Sequence, residues 1–537
     1  MKVFEQVVDQ LASHGVTHFF GLPSDEPGFL DAAASNAASQ AIMFDDQRAA
    51  ALACIGYARA SGKSPALCLT PGPAFSNALT GLLEGSSLGL PTIILTHGCD
   101  PRTRNRGGFQ QTPQREMLAP LVSCYEELVD ARDVERVIFN AVHNSLNLRP
   151  GLVAVQADST LMQAEAEKVS VHRTVSAARL RMAPDPVAAR AAGRSIDSSQ
   201  SPLMLVGGGG YTATREILAC AEHWGAGVLT TAAGRGTIDE SHPLSLGLCG
   251  LYASERAQEA LKTSDLVVVV GSAMEETVRI GWSALTEQRI IQIDRDPNAF
   301  SRAIPVEFPI LSDAGLGLLA LKDATNARSK SAASLISTGT APRTSKSLVS
   351  RLLQNLWNRL PAKTTLVQEN GLHDMWSYDS ETISVYPETT VVTPGEQTTM
   401  GFSIPAAAGA GAAAPGQMTL IVCGDSAFAM TVATLPTLLE QTMQCVIVVL
   451  NNSGWGWPRS LRDGGDTLTV VDRKTWLYAI PEALGMRIID VDYESSVASV
   501  VDKIETAVSA GRPVVVNVRV RDDDVYPPIL RQGLASD

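Results

Sequence analysis

Paired cysteines, long apolar runs and basic clusters are all missing from this chain. The eight cysteines (Cys54, Cys68, Cys99, Cys124, Cys220, Cys249, Cys423, Cys445) form no Cys-x-x-Cys pair, so neither a zinc site nor a disulfide framework is indicated. Reduced, mostly buried thiols in a cytoplasm are the simplest reading. No apolar run approaches the roughly 20 residues of a membrane span. Met1-Lys2-Val3-Phe4 leads straight into amphipathic sequence without the apolar core of a signal peptide. A soluble, cytoplasmic protein with no membrane partner is therefore expected. Lys and Arg number 43 against 56 Asp and Glu, a formal charge of −13. Nucleic acid is not an expected partner, because neutralising phosphates takes clustered Lys and Arg. A local pocket can still oppose the global sign and take an anionic small molecule.

What is present suits large buried sheets: 45% of residues are hydrophobic and 18% charged. A single core stops growing at roughly 250–300 residues, so 537 residues imply two or three domains. In the first segment, helical spacing (Val3, Val7, Val8, Leu11) leads to the apolar run at 17–20 and the turn Gly21-Leu22-Pro23. Further apolar runs lie at 66–69, 92–96 and 152–155. A second segment opens with Pro202-Leu203-Met204-Leu205-Val206 and a glycine run, Gly207 to Gly210, and holds runs at 266–270 and 289–293. A Ser/Ala/Thr/Lys-rich linker at about 324–347 precedes a third segment, with runs at 419–422, 445–450 and 513–518. Strand-length runs alternating with helical stretches predict parallel α/β sheets. Ligands of such sheets bind beyond the strands' carboxyl ends.

The chemistry-bearing motifs fall at those ends. The run at 419–422 leads into Gly424-Asp425-Ser426, and the run at 445–450 into Asn451-Asn452-Ser453-Gly454. Adjacent parallel strands would bring Asp425 and Asn452 together, although they are 27 positions apart (452 − 425). A carboxylate, an amide oxygen and a backbone carbonyl suit Mg²⁺, a hard ion often shared with phosphates. Gly424 lets the backbone approach a phosphate, and a following helix N-terminus adds a favourable dipole. Either motif alone reads equally well as a turn; together, each after a strand, they point to a metal site.

This pattern resembles the GDG…NN signature of thiamine diphosphate (ThDP) dependent enzymes of the acetolactate synthase, 2-oxoacid decarboxylase and benzaldehyde lyase type, with Ser426 replacing the last glycine. The resemblance implies Asp425, Asn452 and the Gly454 carbonyl as Mg²⁺ ligands. Gly371-Leu372-His373-Asp374-Met375-Trp376 resembles that family's G-x-H-Q-M-W, implying diphosphate contacts from Gly371 and His373. Thr399-Met400-Gly401-Phe402-Ser403-Ile404-Pro405-Ala406-Ala407 resembles t-M-G-F-x-x-P-A-A. Met400 then matches the apolar wedge between the two cofactor rings, and the Thr398 carbonyl matches the acceptor for the 4′-amino group. Trp455 and Trp457 follow the metal motif and either wall the pocket or pack.

The activation segment is altered. The stretch 44–59 resembles H-E-x-x-A…G-Y-A-R, and 70–78 resembles T-x-G-P-G-x-x-N. In that family a glutamate protonates the aminopyrimidine N1′ and so promotes formation of the ylide. Gln47 stands in its place, preceded by Asp46. A carboxamide can hydrogen-bond N1′ but cannot exchange a proton with it near neutral pH. Three readings follow: slower but sufficient activation, a carboxylate supplied by Asp45 or Asp46, or ThDP binding without conventional turnover.

On the substrate side, Gly21-Leu22-Pro23-Ser24-Asp25 resembles the family's G-x-P-G-x turn, where some decarboxylases place a carboxylate at the Asp25 position. His97 ends the run at 92–96 and Gln110 belongs to a Phe-Gln pair matching the family's. Arg102, Arg104 and Arg106 either attract an anion or form a solvated loop. Gly207–Gly210 suggests a dinucleotide fingerprint only superficially, and Gly271-Ser272-Ala273-Met274-Glu275 lacks the R-F-D-D-R of acetolactate synthases, so FAD is not expected.

The expectation is three α/β domains with mainly parallel sheets: pyrimidine-binding at 1–170, central at 185–325 and diphosphate-binding at 345–537. The resemblance implies a ThDP- and Mg²⁺-dependent lyase or carboligase acting on a 2-oxo acid or aldehyde through an enamine. The alternatives are a simple 2-oxoacid decarboxylase and a degenerate ThDP-binding protein. It also implies a homodimer or homotetramer with active sites between subunits.

Overall fold

The chain folds into three six-stranded sheets, and every strand pair within them is parallel. The computed structural model describes residues 1–147, 149–166, 180–282, 287–328, 347–372, 375–462, 467–471 and 477–521. The first sheet holds β1 (His18–Gly21), β2 (Gln40–Met43), β3 (Ala66–Leu69), β4 (Thr92–Gly98), β5 (Cys124–Leu128) and β6 (Leu152–Asp158). The central sheet holds β7 (Pro202–Val206), β8 (Gly227–Thr230), β9 (Ser245–Leu248), β10 (Leu266–Val270), β11 (Arg289–Asp294) and β12 (Phe308–Leu311). The third holds β13 (Thr365–Gln368), β14 (Thr390–Val392), β15 (Thr419–Gly424), β16 (Cys445–Asn451), β17 (Arg487–Val491) and β18 (Val514–Arg519).

The inner strands are parallel because both their faces are covered. β10 reads Leu-Val-Val-Val-Val and is buried at every position, which helices on both sides of a parallel sheet require. Strand order in the first sheet is β2-β1-β3-β4-β6-β5 and in the third β14-β13-β15-β16-β18-β17. These are the same topology, so the two sheets reverse direction at equivalent points, between β1 and β3 and between β13 and β15. The central order, β12-β11-β10-β7-β8-β9, is that of a dinucleotide-type doubly wound sheet.

Two thin helices join the outer domains. The Gln47–Ser61 helix starts on an Asp46 cap and ends at Gly62 in the left-handed region, φ 67°. Residues 49–58 of it are all buried, which fits a helix enclosed on every side. The Ser403–Ala413 helix is similarly Ala/Gly-rich and enclosed. They cross at Gly56 and Gly409. A Cβ on Gly56 would lie 1.8 Å from the Ala406 carbonyl oxygen, and one on Gly409 1.8 Å from that of Ala53. One continuous apolar cluster therefore runs from Phe20 and Leu67 in the first domain to Ile421 and Ile447 in the third. The central domain is tied in by Arg235, fully buried, whose guanidinium meets Glu240 and the Ser377 and Ile383 carbonyls. No helix among the described residues is long and apolar enough to cross a membrane.

Candidate active site

The first sheet gathers Asp25, Gln47, His97 and Gln110 at one edge, because each belongs to the carboxyl end of β1, β2 or β4, or to the loop that follows it. Gly21 ends β1 where only glycine fits, since a Cβ would lie 2.6 Å from the Cys68 carbonyl oxygen. Asp25 and Glu26 follow in an exposed turn. Gln47 opens its helix half-buried, and its Oε1 accepts from Asn77 Nδ2 at 2.9 Å. Asp46 Oδ1 accepts from the Arg48 and Ala49 amides at 2.6 and 3.3 Å. The same oxygen also accepts from Asn77 Nδ2 at 3.4 Å. Asp45 is exposed.

Gln110 is exposed with φ 53°, a left-handed conformation that costs a non-glycine residue. Its side chain lies against Gly72, where a Cβ would sit 2.9 Å from Gln110 Cβ and Cγ. The adjacent Phe109 is 80% exposed. His97 lies inside β4 rather than beyond it, opposite Ala157 of β6, and is half-buried. Burial holds its imidazole below the usual range, with its contact to the Gly98 carbonyl and the Glu26 charge acting the other way. Arg102 pairs with Asp100 at 2.5 Å, and Arg104 and Arg106 stand on the same exposed loop.

The third sheet builds the other half. Register pairs Gly424 with Leu450, which places Asp425 and Asn452 just beyond adjacent strand ends. Asp425 is 1% exposed and accepts from the Gly454 amide at 3.1 Å. Asn452 is also buried. Ser453 has φ 56°, and Gly454 cannot be replaced, because a Cβ would lie 2.0 Å from the Thr469 carbonyl oxygen. Ser426 fits without strain: its hydroxyl donates to the Gly454 carbonyl at 3.2 Å. Asn451 locks this turn, accepting from the Ser453 amide and donating to Tyr478 and Asn517. Burial raises the Tyr478 phenol's pKa, and the Asp425 charge adds to the rise.

Beyond β13, the fully buried Glu369 accepts from the amides of Asn370, Phe402 and Ser403 and from the Ser403 hydroxyl. Its pKa is raised because burial outweighs those hydrogen bonds. Asn370 Nδ2 donates to the Thr398 carbonyl at 2.9 Å, and Thr398 itself has φ 47°. Left-handed, non-glycine residues thus recur at Gln110, Thr398 and Ser453, which is where strain tends to be kept for function. Met400 is half-buried against the shared core. Gly371 is half-buried directly after Asn370, whereas His373 lies outside the described residues. Trp455 is half-buried, its amide donating to the Thr469 carbonyl at 2.9 Å. Trp457 packs on the small cluster of Leu372 and Met375, against which Leu251 and Tyr252 of the central domain also pack.

These residues fit a divalent cation shared with a diphosphate. Among the described residues no group of three His, Cys, Asp or Glu could hold a metal. A cation here would rest on one carboxylate, amide and carbonyl oxygens, and a ligand's own oxygens, a donor set that suits Mg²⁺ rather than zinc. Space is also available: among the described residues, no atom beyond the chain neighbours lies within 4 Å of where a Gly424 Cβ would be. The Thr398 carbonyl keeps a second lone pair for a 4′-amino donor beside Asn370.

At the central sheet's carboxyl edge a cavity of about 500 Å³ opens between all three domains, bordered by Arg59, Tyr211, Glu275, Asp296 and Glu396. Packing explains the glycine run there, since a Cβ on Gly207 would lie 2.4 Å from the Gly271 carbonyl oxygen. Sequence patterns missed Glu84 and Glu369. The only signal for Glu84 is a carboxylate amid small and apolar neighbours, Gly81, Leu82 and Gly85.

Residues 1–117 match the N-terminal TPP binding domain of thiamine pyrophosphate enzymes, 189–321 the central domain and 369–518 the C-terminal TPP binding domain. The acetolactate synthase large subunit of Lactococcus lactis is 25% identical, over 99% of this chain and 94% of that protein. The acetolactate synthase isozyme 2 large subunit of Escherichia coli K12 is 24% identical, over 100% and 98%. The fold is similar to that of the thiamine diphosphate-dependent 4-hydroxybenzoylformate decarboxylase of Rhodococcus jostii RHA1, with TM-score 0.82 and 19% identity, covering 98% of this chain and 100% of that one. With three matched domains in family order on two sheets of equal topology, the chain belongs to the thiamine diphosphate-dependent enzymes.

Proposed function

We propose that this enzyme is a Mg²⁺-dependent carbon–carbon lyase or carboligase for a 2-oxo acid or related carbonyl donor. The observation that carries the reading is the buried Asp425–Gly454 turn beside Asn452, in the same domain as the strained Thr398 carbonyl held by Asn370. Asp425, Asn452 and the Gly454 carbonyl hold the metal. Gly371, His373, Gly424, Ser426 and Trp455 border the diphosphate, and Thr398 and Met400 address the rings. When bound, ThDP supplies the electron sink for bond cleavage at the carbonyl carbon.

The chain's own groups then bias the outcome. Asn77 Nδ2 donates to Gln47 Oε1, and the carboxamide offers N1′ an N–H donor in place of a carboxyl. A donor matches the lone pair of a neutral N1′ but gives no proton-exchanging partner. Burial lowers the His97 pKa, which disfavours the protonated imidazole that would serve as a proton donor. Slow protonation favours transfer of the bound fragment to a second carbonyl. Asp25 and Gln110 border the substrate end of this half-site. Phe109 and Gln110, exposed at the edge where Gln47 stands, suit a half-site covered by a second subunit of a homodimer or homotetramer. A simple 2-oxoacid decarboxylase is the second reading, favoured by the exposed carboxylates of Asp25 and Glu26 in the turn after β1.

The test is to supply ThDP, Mg²⁺ and a panel of 2-oxo acids and aldehydes, following CO₂ release and products. A ligated hydroxyketone supports the carboligase and an aldehyde alone the decarboxylase. Tight ThDP binding with no turnover of any donor sinks both and leaves a binding protein.

A further inference from the structure

We propose that Glu84, a residue of the first domain, is a positioning residue that holds the third domain's 395–399 loop in the shape presenting the Thr398 carbonyl and Met400 to the cofactor's pyrimidine. The loop's role rests on the function proposed above; the brace itself does not.

Glu84 lies near the end of the Pro73–Leu88 helix and is 0% exposed. Burying a carboxylate is costly unless hydrogen bonds compensate it. Here the compensation crosses a domain boundary. Glu84 Oε1 accepts from the Gly395 amide at 2.5 Å, and Oε2 from the Thr399 amide at 2.9 Å. Between these two amides the chain makes a tight turn, closed by the Thr398 amide donating to the Gly395 carbonyl at 3.0 Å. One carboxylate thus pins both ends of the turn.

The pinned segment is also the strained one. Thr398 is β-branched and held at φ 47°, a conformation such residues leave unless their surroundings over-determine it. Two forces oppose that relaxation. From the third domain, Asn370 holds the Thr398 carbonyl and Glu369 holds the Phe402 and Ser403 amides. From the first domain, Glu84 holds 395 and 399. Gly395 is required for the approach, because a Cβ there would lie 2.8 Å from Leu88 and 2.9 Å from Glu84 Oε1. The consequence is a link between domains: movement of the Pro73–Leu88 helix changes how the loop presents Thr398 and Met400.

The experiment compares wild type, Glu84→Gln and Gly395→Ala. Hydrogen exchange of the cofactor-free protein is read over 395–399. Affinity for ThDP with Mg²⁺ is titrated by tryptophan fluorescence, and affinity for inorganic diphosphate with Mg²⁺ by calorimetry. Both variants are expected to exchange faster at 395–399 and to bind ThDP roughly 10- to 100-fold more weakly, the scale of losing a hydrogen bond to a charged group. Affinity for Mg²⁺-diphosphate, which lacks the pyrimidine that Thr398 and Met400 would meet, is expected to stay within about twofold. The near-ultraviolet circular dichroism of bound ThDP is expected to change. An equal loss for both ligands would show a merely structural role and overturn the proposal, as would unchanged ThDP affinity in either variant. If Glu84→Gln does not fold, Gly395→Ala decides alone. Failure of wild type to bind ThDP would sink the function proposed above, while the exchange result would still judge the brace.

Discussion

Gly56→Ala tests the contact on which the joined outer domains depend. The added Cβ would sit 1.8 Å from the Ala406 carbonyl oxygen, where ordinary contact begins at 3.4 Å. The two helices must separate locally by about 1.6 Å, and no rotamer relieves it because the obstacle is backbone. Overpacking of a tight core costs about 1–3 kcal/mol, and a backbone obstacle belongs at the upper end. Against this, alanine gains about 1 kcal/mol over glycine inside a helix. The clash wins, leaving about 2 kcal/mol of net destabilisation. Gly85→Ala is the control. That glycine is also helical and buried, but its Cβ would meet nothing closer than Leu152 at 3.4 Å, so the helical gain should dominate. A chain of three domains need not unfold in two states. The comparison is therefore the shift in the first thermal transition, on the order of 5 °C downward for Gly56→Ala and level or upward for Gly85→Ala. Equal behaviour of the two variants would refute the close crossing.

Three further outcomes follow. Asp425→Ala should weaken ThDP–Mg²⁺ binding at least about tenfold in calorimetry, with far-ultraviolet circular dichroism unchanged; retained affinity would displace Asp425 from the metal. Gln47→Glu should speed hydrogen exchange at C2 of bound ThDP, followed by proton NMR, and an unchanged rate would mean that Gln47 does not stand at N1′. His18, between Tyr57 and Thr17, has its pKa lowered below 6.5, first by burial and then by Lys63. The unfolded chain therefore binds more protons in that window, so the contribution is complete above about pH 6.5 and is lost as pH falls through the lowered folded value. Urea midpoints should drop over that range in wild type and less steeply in His18→Gln; identical slopes would contradict the assignment.

Much of the fold was legible because inner parallel strands are buried on both faces and read as unbroken apolar runs, as at β7, β10, β15 and β16. Edge strands were not: β2, β12 and β17 are partly exposed and mixed in composition, so nothing in a short window marks them. The glycine run Gly207–Gly210 was ambiguous for a related reason, since its need arises from Gly271, far away in sequence. The metal segment was readable because its groups are set by short motifs at strand ends. By itself, then, the sequence determined the sheet class, the family and the residue types at each strand end. Only tertiary structure decided which carboxylates are available. Asp46 caps its own helix, a local arrangement, whereas Glu84 is reached by amides 311 and 315 positions away. A carboxylate's role depends on the donors that reach it, and those are brought by packing between domains that no local pattern encodes.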